Sequence, residues 1–197
     1  GYEIVFVDRN ERVVESLNTH PEYTVHDLSE GGSISHVSGY KAVHLPQREA
    51  ILEELEECPL MAVAVLPEGL PDVVEILHDA LRKRMAENSE KTLDIIVCTN
   101  MFDPGKKLKE LLTLCLGADE KAYCEKYFGF VSALTRRLAI NPDDAQLAQD
   151  PLSILVSGFA KLPVRIDAFK GGLPKADRLI YVDNMPALEL RKYYTYN

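Results

Sequence analysis

Short unbroken apolar runs alternate along this chain with stretches whose apolar residues recur every three to four positions. The runs read as strands and the stretches as helices. Tyr2-Glu3-Ile4-Val5-Phe6-Val7-Asp8 is a β-branched and aromatic strand ending on a carboxylate. A helix follows from Glu11 with Asn10 as its N-cap. Tyr23-Thr24-Val25-His26 and Ile34-Ser35-His36-Val37 alternate around Glu30-Gly31-Gly32-Ser33, which predicts a hairpin. Ala42-Val43-His44-Leu45 is another short strand, and residues 48–57 are helical. Leu60-Met61-Ala62-Val63-Ala64-Val65-Leu66 is continuously apolar, as a parallel strand covered on both faces should be. A long amphipathic helix over 71–87 leads to the buried run Leu93-Asp94-Ile95-Ile96-Val97-Cys98. Two helices, 105–116 and 119–127, come next.

Strand and helix in alternation predict an open, mostly parallel α/β sheet flanked by helices. Ligands of such sheets lie beyond the carboxyl ends of the strands. Asp8, Leu66-Pro67 and Asn100 hold such positions. From Pro151 the texture changes. Ile154-Leu155-Val156, Val164-Arg165-Ile166 and Leu179-Ile180-Tyr181-Val182 read as strands around the loop Phe169-Lys170-Gly171-Gly172-Leu173-Pro174. Asn184 and Pro186 mark the start of a last helix running to Asn197.

Charge narrows the partners. The 197 residues carry a net charge of -9, which disfavours nucleic acid or an anionic membrane, since both need clustered Lys and Arg. The short basic run Leu81-Arg82-Lys83-Arg84 reads as the solvated end of a helix. Cys58, Cys98, Cys115 and Cys124 form no CxxC pair, so reduced thiols in a cytoplasmic protein are expected. No apolar run reaches membrane-spanning length, and no metal set is apparent.

Several residues carry candidate chemistry. An acid closing a strand of a dinucleotide-binding fold can hold the adenosine ribose hydroxyls and repel a 2′-phosphate, which makes NAD the expected cofactor of Asp8. Gly31-Gly32 cannot stand in for a phosphate-binding loop, because it joins two strands and opens no helix. Asn100 could turn its amide toward a nicotinamide or a substrate. Arg136-Arg137 could clamp a phosphate. Lys192 and Asn197 suit alcohol oxidation: a desolvated lysine can serve as base, and an amide can donate to the developing alkoxide. At about 100° per residue, a spacing of five sets their side chains roughly 140° apart, so they converge only across a cleft or a distorted turn. The five histidines show no catalytic partner pattern.

An ordered set of segments resembles the mannitol dehydrogenase family, most closely its mannitol-1-phosphate 5-dehydrogenase branch. These are Val5-Phe6-Val7-Asp8-Arg9-Asn10, Leu93 through Met101, Gly129-Phe130-Val131, Asp150-Pro151-Leu152, Ala168 through Pro174, Tyr181-Val182-Asp183 and Glu189 through Asn197. The resemblance implies an NAD-dependent oxidoreductase interconverting a polyol or polyol phosphate with its ketose. It implies a Rossmann-like domain over residues 1–184, lacking its first βα unit, and the first helix of a helical substrate domain over 185–197. Asp8, Leu66 and Asn100 would border the cofactor, and Ser132 and Arg137 the substrate. Lys192 would be the base and Asn197 would hold the substrate oxygen, with no metal.

The resemblance also marks departures. The family's Gly-rich loop and catalytic-region histidine would fall before Gly1 and after Asn197. Ser132 stands where relatives carry Asp or Asn, Arg136 where they carry Asp, and Leu66 where they carry glycine. Two other readings stay open: a hexuronate reductase of the same fold, with Arg137 and Lys170 serving a carboxylate, or a catalytically degenerate nucleotide- or sugar-phosphate-binding homologue.

Overall fold

The computed structural model describes residues 3–29, 31–183 and 185, and these fall into two compact units. The first takes the described residues up to Glu54 together with Arg136–Ala160. The second takes Leu55–Thr135 and the described residues from Lys161 onward. The expected boundary at 184/185 lies at the margin of what is described, and the final helix lies outside it.

The chain opens with β1 (Ile4–Asp8), α1 (Glu11–Thr19), β2 (Glu22–Asp27), β3 (Ile34–Ser38) and β4 (Tyr40–His44). Asn10 caps α1 as expected, its side chain accepting from the Arg12 amide. β1 and β4 pair in parallel, with Asp8 opposite His44 at the carboxyl end. β2 and β3 form the anticipated antiparallel hairpin. Phe6, Tyr23 and Tyr40 pack ring against ring at centroid distances of 5.5–6.4 Å.

α2 (Arg48–Glu57) leads into the second unit through β5 (Leu60–Val63), α3 (Leu70–Ala86), β6 (Leu93–Val97), α4 (Pro104–Cys115), α5 (Ala118–Tyr127) and β7 (Phe128–Ser132). β5, β6 and β7 are all parallel, in that order. Every residue of β6 and β7 is buried. Leu77, Leu81, Leu108 and Leu112 of α3 and α4 share one core cluster with Leu93, Ile95, Phe128 and Phe130. β5 departs from expectation. It stops at Val63, its Ala62 is exposed, and among the described residues it pairs only with β6. The apolar run continues past the strand into a 3-10 turn at Pro67–Gly69.

The end of α3 corrects a second expectation. Arg84 is 1% exposed rather than solvated. Its guanidinium donates to the carbonyls of Leu55 and Cys58 at the end of α2, and to that of Lys91. It also lies over the Phe128 ring, 5.9 Å from the centroid. A planar fork with five donors suits carbonyls left open at a helix end.

The chain returns to the first unit as β8 (Arg137–Ile140), α6 (Asp144–Gln149) and β9 (Ile154–Gly158), completing a mixed sheet in the order β3-β2-β9-β8. It then re-enters the second unit as β10 (Leu162–Arg165) and β11 (Leu179–Val182), which pair in parallel. Val164 bridges Ala133 in antiparallel sense, just past β7. No helix among the described residues is long and apolar enough to cross a membrane.

Candidate functional site at the carboxyl ends of the parallel strands

In the first unit, Asp8 closes β1. Its Oδ1 accepts from the Asn10 amide at 2.7 Å, and its carbonyl accepts from Leu45 at 2.9 Å. Both bonds fix the strand end where α1 begins. Asp8 Oδ2 accepts no hydrogen bond among the described residues and is open to a ligand hydroxyl. The His44 ring is 3.1 Å from the Arg9 carbonyl, one residue on.

In the second unit, three strand ends carry the remaining candidates. Leu66 follows β5 with φ -67° and ψ 158°. That is ordinary extended backbone, so a glycine is not required there for conformation. The leucine side chain is 65% exposed. Asn100 lies past β6 and is exposed, between buried Thr99 and half-buried Met101. Thr99 Oγ1 is buried with no hydrogen-bond partner among the described residues.

The loop bearing Asn100 is locked to β7. Asp103 takes the left-handed conformation, with φ 43°. The Ser132 hydroxyl donates to Asp103 Oδ1 at 2.6 Å and accepts from the Gly105 amide at 3.0 Å. Gly105 lies so close to β7 that a Cβ there would stand 2.6 Å from the Phe130 carbonyl oxygen. Arg165 Nη1 approaches Asp103 Oδ2 at 3.8 Å, while its Nε bonds Asp167 at 2.7 Å. Ser132 is thus buried and holds partners on both sides, a role that no local pattern around it announces. Asp103-Pro104-Gly105 did carry a helix-start signal, with proline at the first helical position.

The opposite, amino end of the same strands holds a different anchor. Asp94, the one charged residue in an apolar strand, accepts from the amides of Lys170 at 2.7 Å and Gly171 at 3.0 Å. The segment from Arg165 to Gly171 therefore runs back along β7 and is tied at the amino end of β6. Lys170 lies there, with its ammonium 3.9 Å from Glu125. Its place is thus at the end opposite the carboxyl ends where ligands of such sheets gather.

Arg137 belongs to the first unit. Its guanidinium is paired with Asp27 at 2.5 Å. Arg136 lies over the Phe159 ring, 4.8 Å from the centroid. Both arginines thus have partners within that unit. Lys192 and Asn197 lie outside the described residues. All four cysteines are free thiols. Among the described residues no group of three His, Cys, Asp or Glu could hold a metal.

Parallel strands flanked by helices, with an acid closing β1 and an amide-bearing loop after β6, define a dinucleotide-fold class. The chain belongs to the mannitol dehydrogenase family: the model of that family's Rossmann domain matches residues 1–178. Two solved structures share the fold. One is a D-sorbitol dehydrogenase in substrate-free form, with a TM-score of 0.83 and 14% identity, covering 97% of this chain and 50% of the other. The second is the Pseudomonas fluorescens mannitol 2-dehydrogenase in a ternary complex with NAD and D-mannitol, with a TM-score of 0.84 and 14% identity, covering 97% of this chain and 48% of the other. The chain spans about half the length of the solved structures it matches.

Proposed function

We infer that the protein is an NAD-dependent oxidoreductase interconverting a polyol, or a polyol phosphate such as mannitol 1-phosphate, with the corresponding ketose. The family match over residues 1–178 carries this reading. The residues present fit the cofactor. Asp8 offers a free carboxylate oxygen at a strand end, the chemistry that accepts from a ribose diol and repels a 2′-phosphate. Leu66 and Asn100 are both exposed at strand ends, where an apolar side chain and an amide can border a nicotinamide.

NAD, when bound, supplies the hydride acceptor. The chain's own residues hold and orient. Asp8 would fix the ribose, and Asn100 would set the nicotinamide end. Lys192 would take the hydroxyl proton, and Asn197 would donate to the oxygen as its charge develops. Ser132 and Arg137, the substrate contacts suggested by the sequence, already hold Asp103 and Asp27. A substrate could engage the Ser132 hydroxyl only by displacing one of its two partners. Arg137 bonds Asp27 through Nη2, and its Nε has no hydrogen-bond partner among the described residues. The buried Ser132 also supports a second reading, a nucleotide-binding homologue without turnover.

The test is reduced-nicotinamide formation by the full-length gene product on a panel of polyols and polyol phosphates, beside Lys192→Ala. Turnover lost in the variant supports the dehydrogenase and its base together. NAD binding with no turnover on any panel member would move the assignment to the binding homologue.

A further inference from the structure

The loop after β6 is held by a short relay that no part of the family resemblance assigned. Asp103 adopts left-handed backbone, which a non-glycine residue holds only where its surroundings compensate the strain. Here the compensation is visible. Asp103 Oδ1 accepts from Ser132, and Ser132 accepts in turn from the Gly105 amide. Gly105 has no room for a Cβ against β7. Arg165 stands beside the other Asp103 oxygen. Three points on β7 and β10 thus fix a loop that exposes Asn100 and Phe102.

We propose that Asp103 and Ser132 are positioning residues that set the Asn100 loop for the nicotinamide half of the cofactor. Neither touches the cofactor. They act by fixing where the β6 end presents its amide. This rests on the NAD reading above and deepens it, because it assigns the relay to one half of the dinucleotide only. A loop held by the relay should matter for the nicotinamide and be indifferent to the adenosine and pyrophosphate.

The experiment compares binding of NAD with binding of ADP-ribose, which lacks the nicotinamide, in the full-length protein. The variants are Ser132→Ala, Asp103→Gly and Asp103→Asn. Glycine accepts left-handed backbone freely but removes the carboxylate, so it separates backbone strain from the hydrogen bond. Asparagine tolerates the same backbone and keeps an acceptor for Ser132. The expected result is NAD affinity about tenfold weaker in Ser132→Ala and Asp103→Gly, the size of one lost strong hydrogen bond. Asp103→Asn should stay close to the parent, and ADP-ribose affinity should be unchanged throughout. Equal weakening of both nucleotides, the mark of a general loss of fold, would overturn the proposal. So would unchanged NAD affinity in Ser132→Ala and Asp103→Gly. If the parent protein binds neither nucleotide, the NAD reading falls and this inference falls with it.

Discussion

Asp94 and Gly129 stand opposite one another in the β6–β7 register, and the carboxylate of the first fills the space a side chain on the second would need. From there Asp94 reaches the Lys170 and Gly171 amides. A buried carboxylate is tolerable because two backbone donors replace its water. Gly129→Ala should therefore cost about 1–3 kcal/mol through overpacking. Asp94→Asn should cost a similar amount, about 1–3 kcal/mol, by turning an amide donor toward backbone donors. Urea unfolding of each variant reads both values, and a neutral Gly129→Ala would refute the close packing.

Arg84 tests whether a cation can close a helix end from inside a core. Arg84→Ala removes every donor to the Leu55, Cys58 and Lys91 carbonyls and leaves a void beside Phe128. The expected loss is about 3–5 kcal/mol, as for large-to-small changes at other buried sites. Arg84→Lys should recover only part of it, because an ammonium lacks the planar fork. Desolvation draws the Arg84 pKa down from the usual arginine range. Thermal unfolding of the two variants beside the parent gives the order.

Glu120 gives the acid limb of stability a specific origin. The Gly117 amide, followed by the Arg82 guanidinium, holds its carboxyl below the usual glutamate range. A depressed folded-state pKa contributes stability above the unfolded value and loses it as pH falls through the folded one. The parent should therefore exceed Glu120→Gln in stability at neutral pH. The gap should close as pH drops below the ordinary glutamate range. Denaturant titrations at several pH values decide this, and a gap that stays constant into acid would exclude Glu120 as a source.

The thiols should separate by accessibility and acidity. Burial pushes Cys124 up to about 11 and raises Cys98 as well. Cys115 is exposed. Since the thiolate is the nucleophile, alkylation at neutral pH should mark Cys115 first and leave Cys124 until the protein unfolds. Peptide mapping after timed labelling checks the order.

If Asp8 holds a ribose, Asp8→Asn should weaken NAD binding about tenfold, as befits a lost hydrogen bond to a charged group. It should also narrow the preference for NAD over NADP, because the repelling charge is gone. Nucleotide titrations followed by fluorescence measure both, and an unchanged preference would release Asp8 from the role.

What the sequence made legible was local. Residues 48–57 form a helix as read, because Pro46 and Pro59 punctuate an amphipathic stretch. Asp8 closes β1 where its apolar run stops, whereas Leu66 and Asn100 each lie three residues past the end of their strand. β7 escaped notice because it follows α5 with no turn residue between and carries Gly129 near its centre. The commitments of Ser132 and Arg137 were equally hidden. Their partners lie 29 and 110 residues away, and no local pattern reports a pairing of that span. Arg84 looked solvated for the same reason: the Leu55 and Cys58 carbonyls it satisfies lie 29 and 26 residues away.

The first unit is assembled from two stretches, with β5, β6 and β7 of the second encoded between them. β2 gains β3 at once but must wait for β9, and the bond from the Thr24 amide to Asp150 spans 126 residues. During synthesis the hairpin therefore emerges with one edge unpaired, while β5, β6 and β7 can close on neighbours that are near in sequence. The order of completion differs from the order of the chain: a hairpin that is encoded early is finished only once β9 has followed it.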